Sequence, residues 1–144
     1  MKLIKRNEKI YIEYFEHDKT SVHSHEFLEL MYVMEGNALQ TVDDKKILRS
    51  KGDYCFIDYG TRHGYSKTNK GIFKIINCIF LHEFSEITLH GCHSFQTVLN
   101  NYLIKFNKNT LVINPADFVF KDSTGEIYIL MQKMIEEFKM KKTG

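Results

Sequence analysis

Apolar and polar residues alternate in short runs over the first 81 positions, with the period of strands that bury one face. Lys9–His17, Lys-Ile-Tyr-Ile-Glu-Tyr-Phe-Glu-His, is dense in β-branched and aromatic residues and reads as the first strand. Glu26–Met34 reads as the next, and Gly36-Asn37 turns the chain into a third at Ala38–Val42. Asp43-Asp44-Lys45-Lys46 reads as a hairpin loop, although it lacks the glycine that such loops favour. Ile47–Arg49, Tyr54–Ile57 and the long apolar run Gly71–Leu81 follow, with turns at Lys51-Gly52-Asp53 and Tyr59-Gly60-Thr61. Short strands at close spacing predict a mainly β sandwich or barrel.

The pattern changes after Leu81. His82–Leu89 and Ser94–Ile104 read as short helical turns around Gly91, and Thr110–Ile113 as a further strand ended by Asn114-Pro115. The clearest helix is the last one. Ser123-Thr124-Gly125-Glu126 matches a capping box, in which Ser123 and Glu126 each satisfy a free amide of the first turn. Ile127, Leu130, Met131, Met134 and Phe138 then recur at helical spacing as one stripe, which reads as core or as a dimerisation face. Lys139, Lys141 and Lys142 fall in the last turn, where the helix dipole favours cations.

Composition narrows the class. The chain has 144 residues and is 43% hydrophobic, enough for one domain with its own core and too apolar for disorder. The formal charge is +2, from 20 basic and 18 acidic residues, which excludes nucleic-acid binding by bulk charge. No apolar run approaches the roughly 20 residues of a membrane span, and Met1–Phe15 has no continuous apolar core of a signal peptide. Cys55, Cys78 and Cys92, an odd set without a CxxC pair, argue against a disulfide framework. A cytoplasmic protein without membrane contact is expected.

The candidate chemistry centres on histidine. His23, His25 and Glu29 share strand parity, with Phe27, Met31 and Val33 beside them. His63 reaches the same cavity if the second hairpin folds onto the first. Three imidazoles and a carboxylate suit a divalent metal such as Zn, Fe, Ni, Mn or Cu. The alternative is a hydrogen-bonded polar interior without metal. Tyr14, Met31, Tyr54 and Tyr65 are the candidate ligand-binding residues, Tyr65 foremost because it shares a face with His63. His17, His82, His90 and His93 read as strand-end or loop residues. His90-Gly91-Cys92-His93 has no second ligand pair and reads as a loop. No residue stands out as a general acid or base beyond the four ligands, so no catalytic residue is assigned.

These residues carry a family resemblance. Residues 23–36, His-Ser-His-Glu-Phe-Leu-Glu-Leu-Met-Tyr-Val-Met-Glu-Gly, resemble the first cupin motif. Gly-Asp-Tyr-Cys-Phe-Ile-Asp-Tyr-Gly-Thr-Arg-His, residues 52–63, resembles the second. Asp58 stands where that motif has proline, and Lys67 where an asparagine is usual a few residues on. The resemblance implies a cupin (double-stranded β-helix, jelly-roll) barrel, with His23, His25, Glu29 and His63 as metal ligands. Phe27–Gly36 and Lys51–Ile57 are also similar to the N-terminal effector-binding domain of AraC-type transcriptional regulators. That similarity implies a sensor barrel over residues 1–115, then a linker and dimerisation helix over 116–144. It implies a bacterial regulator that binds a small polar metabolite such as a sugar, forms a homodimer, and meets DNA only through a domain beyond this chain. The chain reads on this basis as the front of a longer, non-enzymatic protein. The alternative is a stand-alone metal-dependent cupin enzyme, dioxygenase- or isomerase-like. A dimerisation module with a plugged barrel is a third class.

Overall fold

The computed structural model describes residues 10–58, 60–68, 70–81 and 119–143. The readings for residues 82–115, including the Thr110–Ile113 strand and the His90–His93 loop, lie outside the described residues, as does the expected boundary at 115. Nine strands and one helix are described: β1 (Ile10–Glu16), β2 (Lys19–His23), β3 (Leu28–Glu35), β4 (Ala38–Val42), β5 (Lys45–Arg49), β6 (Asp53–Ile57), β7 (His63–Lys67), β8 (Lys74–Phe80), β9 (Val119–Lys121) and α1 (Glu126–Thr143). They form two antiparallel sheets, ordered β1-β8-β3-β6-β9 and β2-β7-β4-β5. This is the mainly β architecture that the alternation predicts, in the jelly-roll form that the resemblance implies, with a C-terminal helix.

The larger sheet is buried on both faces. Its inner face gives Met31, Val33, Cys55, Ile57 and Ile75 to a core closed by Ala38 and Phe73, with Phe15 and Tyr65 packed against it. Its outer face gives Ile12, Tyr32, Ile76 and Cys78 to a second core, closed by Met131 and Ile135 of α1. Two covered faces explain why β8 reads as a nearly unbroken apolar run, broken at Asn77. No helix among the described residues is long and apolar enough to cross a membrane.

Two expectations about α1 change. Met131 is buried on the sheet, and Ile127, Met134 and Phe138 pack beside it, whereas Leu130 is 55% exposed. The predicted dimer stripe is therefore mostly an internal contact, because the outer face of the larger sheet needs a cover. The cap also moves by one residue. Asp122 Oδ1 accepts from the amides of Gly125 and Ile127, and Oδ2 from the amide of Tyr128 and the hydroxyl of Tyr32. Thr124 Oγ1 takes the Glu126 amide. Asp122 wins over Ser123 because its two oxygens serve the first turn and β3 at once.

β2, β7 and β9 go unannounced by the sequence pattern. Lys-Thr-Ser-Val-His and His-Gly-Tyr-Ser-Lys are short and largely polar, and pairing with each other holds them. Lys67 closes the far end of that pair through its 2.7 Å bridge to Asp18. The Asp43-Asp44 turn needs no glycine, since Asp43 itself adopts φ 50°. Gly36 is required: at φ +84° a Cβ would lie 2.0 Å from the Ile72 carbonyl oxygen.

Candidate metal centre

The site forms where β2 meets β7 at one end of the barrel. His23 lies directly opposite His63 in that antiparallel pair, after a register shift between Thr20 and His23. Gly64 permits the approach, because a Cβ there would sit 2.7 Å from the Thr20 carbonyl oxygen. His25 follows in the short connection to β3 and stacks on Phe27, with ring centres 3.6 Å apart. Glu29 rises from β3 on the inner face, opposite Ile57 and Ile79. The loop before β7 is pinned three times: the Gly60 amide donates to the His25 carbonyl, the Arg62 amide to Asp43 Oδ1, and the Asp43 amide to the Arg62 carbonyl.

Each imidazole is oriented by a backbone carbonyl. Nδ1 of His23 lies 2.7 Å from Ser21 O, that of His25 3.1 Å from Phe27 O, and that of His63 2.8 Å from Thr61 O. A carbonyl oxygen only accepts, so each Nδ1 carries the proton and each Nε2 is left to face inward. One ligand atom from each of His23, His25 and His63 lies within 4.8 Å of the others. Glu29 Oε2 joins them, 2.6 Å from His25 Nε2 and 3.3 Å from His63 Nε2. The contact to His63 is an ion-pair approach outside hydrogen-bond alignment, and His63 Nε2 is buried without a hydrogen-bond partner.

Convergent lone pairs and a carboxylate require positive charge between them. Burial alone would raise the Glu29 pKa, but its contacts with His25 and His63 lower it from 4.5 to about 2. Burial works against a charged His63, and the close approach of the Glu29 carboxylate outweighs it, so its pKa is raised above 6.5. Protons can meet the demand for charge, and a divalent cation would meet it equally. The donor set of three nitrogens and one oxygen, each nitrogen with a backbone partner behind it, fits such an ion.

The cluster opens into a cavity of about 320 Å³ inside the barrel. Met31 and Tyr65 line it; burial raises the Tyr65 pKa, against a hydrogen bond to Thr20. Tyr14 and Tyr54 do not reach it. Both lie on the outer face of the larger sheet, in the core under α1, where Tyr54 stacks on Phe120 and Lys139 sits over the Tyr14 ring. The physical reason is parity: even positions of β1 and β6 face the helix, and odd ones face the cavity. Tyr11, Glu13, Thr20, Gln40 and Asn77 line the cavity without having been singled out. Gln40 holds the buried Arg49, whose Nε donates to its Oε1 at 2.6 Å. Cys55 and Cys78 are buried, and burial raises their thiols to about 11 and about 12, which leaves them protonated and poor nucleophiles.

The comparisons agree with this geometry. Residues 11–79, just under half of the chain, match the family model Cupin_2, described as Cupin domain. No curated protein sequence matches the chain. A protein from Photorhabdus luminescens aligns with TM-score 0.51 and 22% identity, over 62% of this chain and 78% of its own. The Cnp3 cupin domain of Schizosaccharomyces pombe aligns with TM-score 0.52 and 11% identity, over 58% of this chain and 64% of its own. A cupin 2 conserved barrel domain protein from Salinispora arenicola aligns with TM-score 0.50 and 17% identity, over 60% and 75%. At these identities the likeness is one of fold.

Proposed function

We propose that the barrel is a sensor that binds a small polar metabolite at a divalent metal held by His23, His25, Glu29 and His63. When bound, the ion supplies Lewis-acid coordination of a ligand oxygen. The chain's own residues shape the rest: Phe15, Met31 and Ile75 give apolar walls, and Thr20 and Tyr65 offer hydroxyls. The observation that carries a sensing role is Tyr11. It lines the cavity, its hydroxyl donates to Glu13, and its ring meets Phe138 of α1 edge-on with centroids 5.3 Å apart. A ligand that shifts Tyr11 therefore acts on the helix directly, which is the differential contact that a change of state needs.

In the finer reading the barrel is the effector domain of an AraC-type regulator, acting as a homodimer whose DNA contacts come from another domain. The texture of Phe27–Gly36 and Lys51–Ile57 supports it. Ile129, Leu130 and Met140, 52%, 55% and 71% exposed, are then apolar residues of α1 offered to a second copy. The competing reading is a metal-dependent cupin enzyme, favoured by the convergence of three imidazoles on one point.

The test is a thermal-shift screen of sugars and organic acids on zinc-loaded protein, followed by hydrogen exchange of α1. A sensor gives a ligand that raises the melting temperature, changes amide protection in α1 and is recovered unaltered. A ligand that is chemically converted supports the enzyme. A ligand that leaves α1 unchanged removes the sensing claim.

A further inference from the structure

The inner wall opposite the smaller sheet carries a polar row that the metal reading does not use. β1 and β8 pair with Glu13 opposite Asn77, and β8 and β3 pair with Asn77 opposite Met31. Both polar side chains line the cavity, among Phe15, Met31, Ile75 and Ile79. The Tyr11 hydroxyl donates to Glu13 Oε2. Asn77 Oδ1 is buried and has no hydrogen-bond partner. A buried carbonyl oxygen left unmatched costs stability, and the neighbouring apolar side chains have nothing to give it. Asparagine is also a poor strand residue, here in the middle of an otherwise apolar β8. Folding alone favours leucine or valine at this position.

We propose that Glu13 and Asn77 form an acceptor subsite that selects ligands carrying a hydrogen-bond donor, a hydroxyl or an ammonium group, remote from the metal-binding end. The inference rests on the metal reading above for the position of that end. A carboxylate oxygen and an amide carbonyl both accept, so the matching ligand group donates. The row Glu13–Asn77–Met31 lies two residues along the strands from the row Tyr11–Ile79–Glu29, which is about 7 Å. The fitting ligand thus has a metal-binding oxygen group at one end and a donor about 7 Å away. A hydroxylated carboxylic acid with a five- or six-carbon chain meets that description, and so does an amino acid with a terminal amine.

The experiment compares three six-carbon probes on zinc-loaded protein by calorimetric titration: hexanoate, gluconate and 6-aminohexanoate. The unaltered protein binds gluconate or 6-aminohexanoate at least about tenfold tighter than hexanoate, because only they match the buried acceptors. Asn77→Leu loses that preference and keeps its zinc. The same variant melts at a higher temperature without ligand, since an unmatched buried oxygen has gone. A merely structural Asn77 gives the opposite, a lower melting temperature. Glu13→Gln, which keeps the shape, reduces the preference and most strongly for 6-aminohexanoate. Zinc uptake with equal or no affinity for the three probes overturns the subsite and leaves the metal reading standing. Absence of zinc uptake overturns the metal reading, and the probe preference of metal-free protein and its loss in Asn77→Leu then judge the subsite alone.

Discussion

Three backbone carbonyls decide the chemistry of the histidine cluster. By accepting from Nδ1 of His23, His25 and His63, the carbonyls of Ser21, Phe27 and Thr61 leave each Nε2 free, and those of His25 and His63 approach Glu29. Without metal this produces a bell-shaped dependence of stability on pH. The Glu29 pKa falls on folding from 4.5 to about 2, so its contribution is present above 4.5 and is lost as pH drops toward 2. The His63 pKa rises on folding above 6.5, so its contribution is complete below 6.5 and is lost as pH climbs through the folded value. Urea unfolding of metal-free protein is expected to give its highest midpoint between pH 4.5 and 6.5. Glu29→Gln removes the decline on the alkaline side. A midpoint that rises steadily from pH 6 to 8 contradicts this account. Zinc is expected to reverse the slope above pH 6, since a metal held there would bind neutral imidazole and compete with protons.

At the scale of elements, α1 tests whether the helix belongs to the barrel. Met131→Ala is expected to cost about 2–5 kcal/mol, the range for emptying a core methionine site, and Leu130→Ala close to nothing. Equal effects contradict the internal packing. Asp122→Ala is expected to cost about 1–2 kcal/mol through lost capping, and Ser123→Ala less than about 0.5 kcal/mol. Chemical denaturation reads both pairs.

The same elements explain what the sequence disclosed. β3, β4 and β6 were legible because they are rich in apolar and aromatic residues and Gly36 and Gly52 mark the turns before β4 and β6. His23, His25, Glu29 and His63 were legible because they stand in stretches that resemble the two cupin motifs. β2 and β7 were not, since pairing and the close approach at Gly64 hold them without apolar alternation. Tyr14 and Tyr54 were placed in the cavity because nothing local says which of two buried faces an aromatic side chain takes. Register decides it: Tyr54 sits opposite Tyr32, on the helix side. Asn77 did leave a signal, a lone amide inside the apolar run of β8.

For the whole molecule, the two cores divide the work. The inner one surrounds a cavity with the histidine cluster at its mouth, and the outer one fastens α1 to the other face of the same sheet. Tyr11 at the edge strand touches both sides. An ion that binds only the folded barrel stabilises it by mass action, about 2.7 kcal/mol at a hundredfold excess over Kd. That gain is expected as a higher melting temperature with zinc, and as no change with zinc in His25→Ala. Calorimetric titration of metal-free protein with zinc tests the central claim most directly. The account predicts one ion per chain, its loss in His63→Ala, weaker binding in Glu29→Gln, and unchanged binding in His17→Ala at the cavity rim. Zinc binding that survives His63→Ala, or that is absent from the unaltered chain, contradicts it.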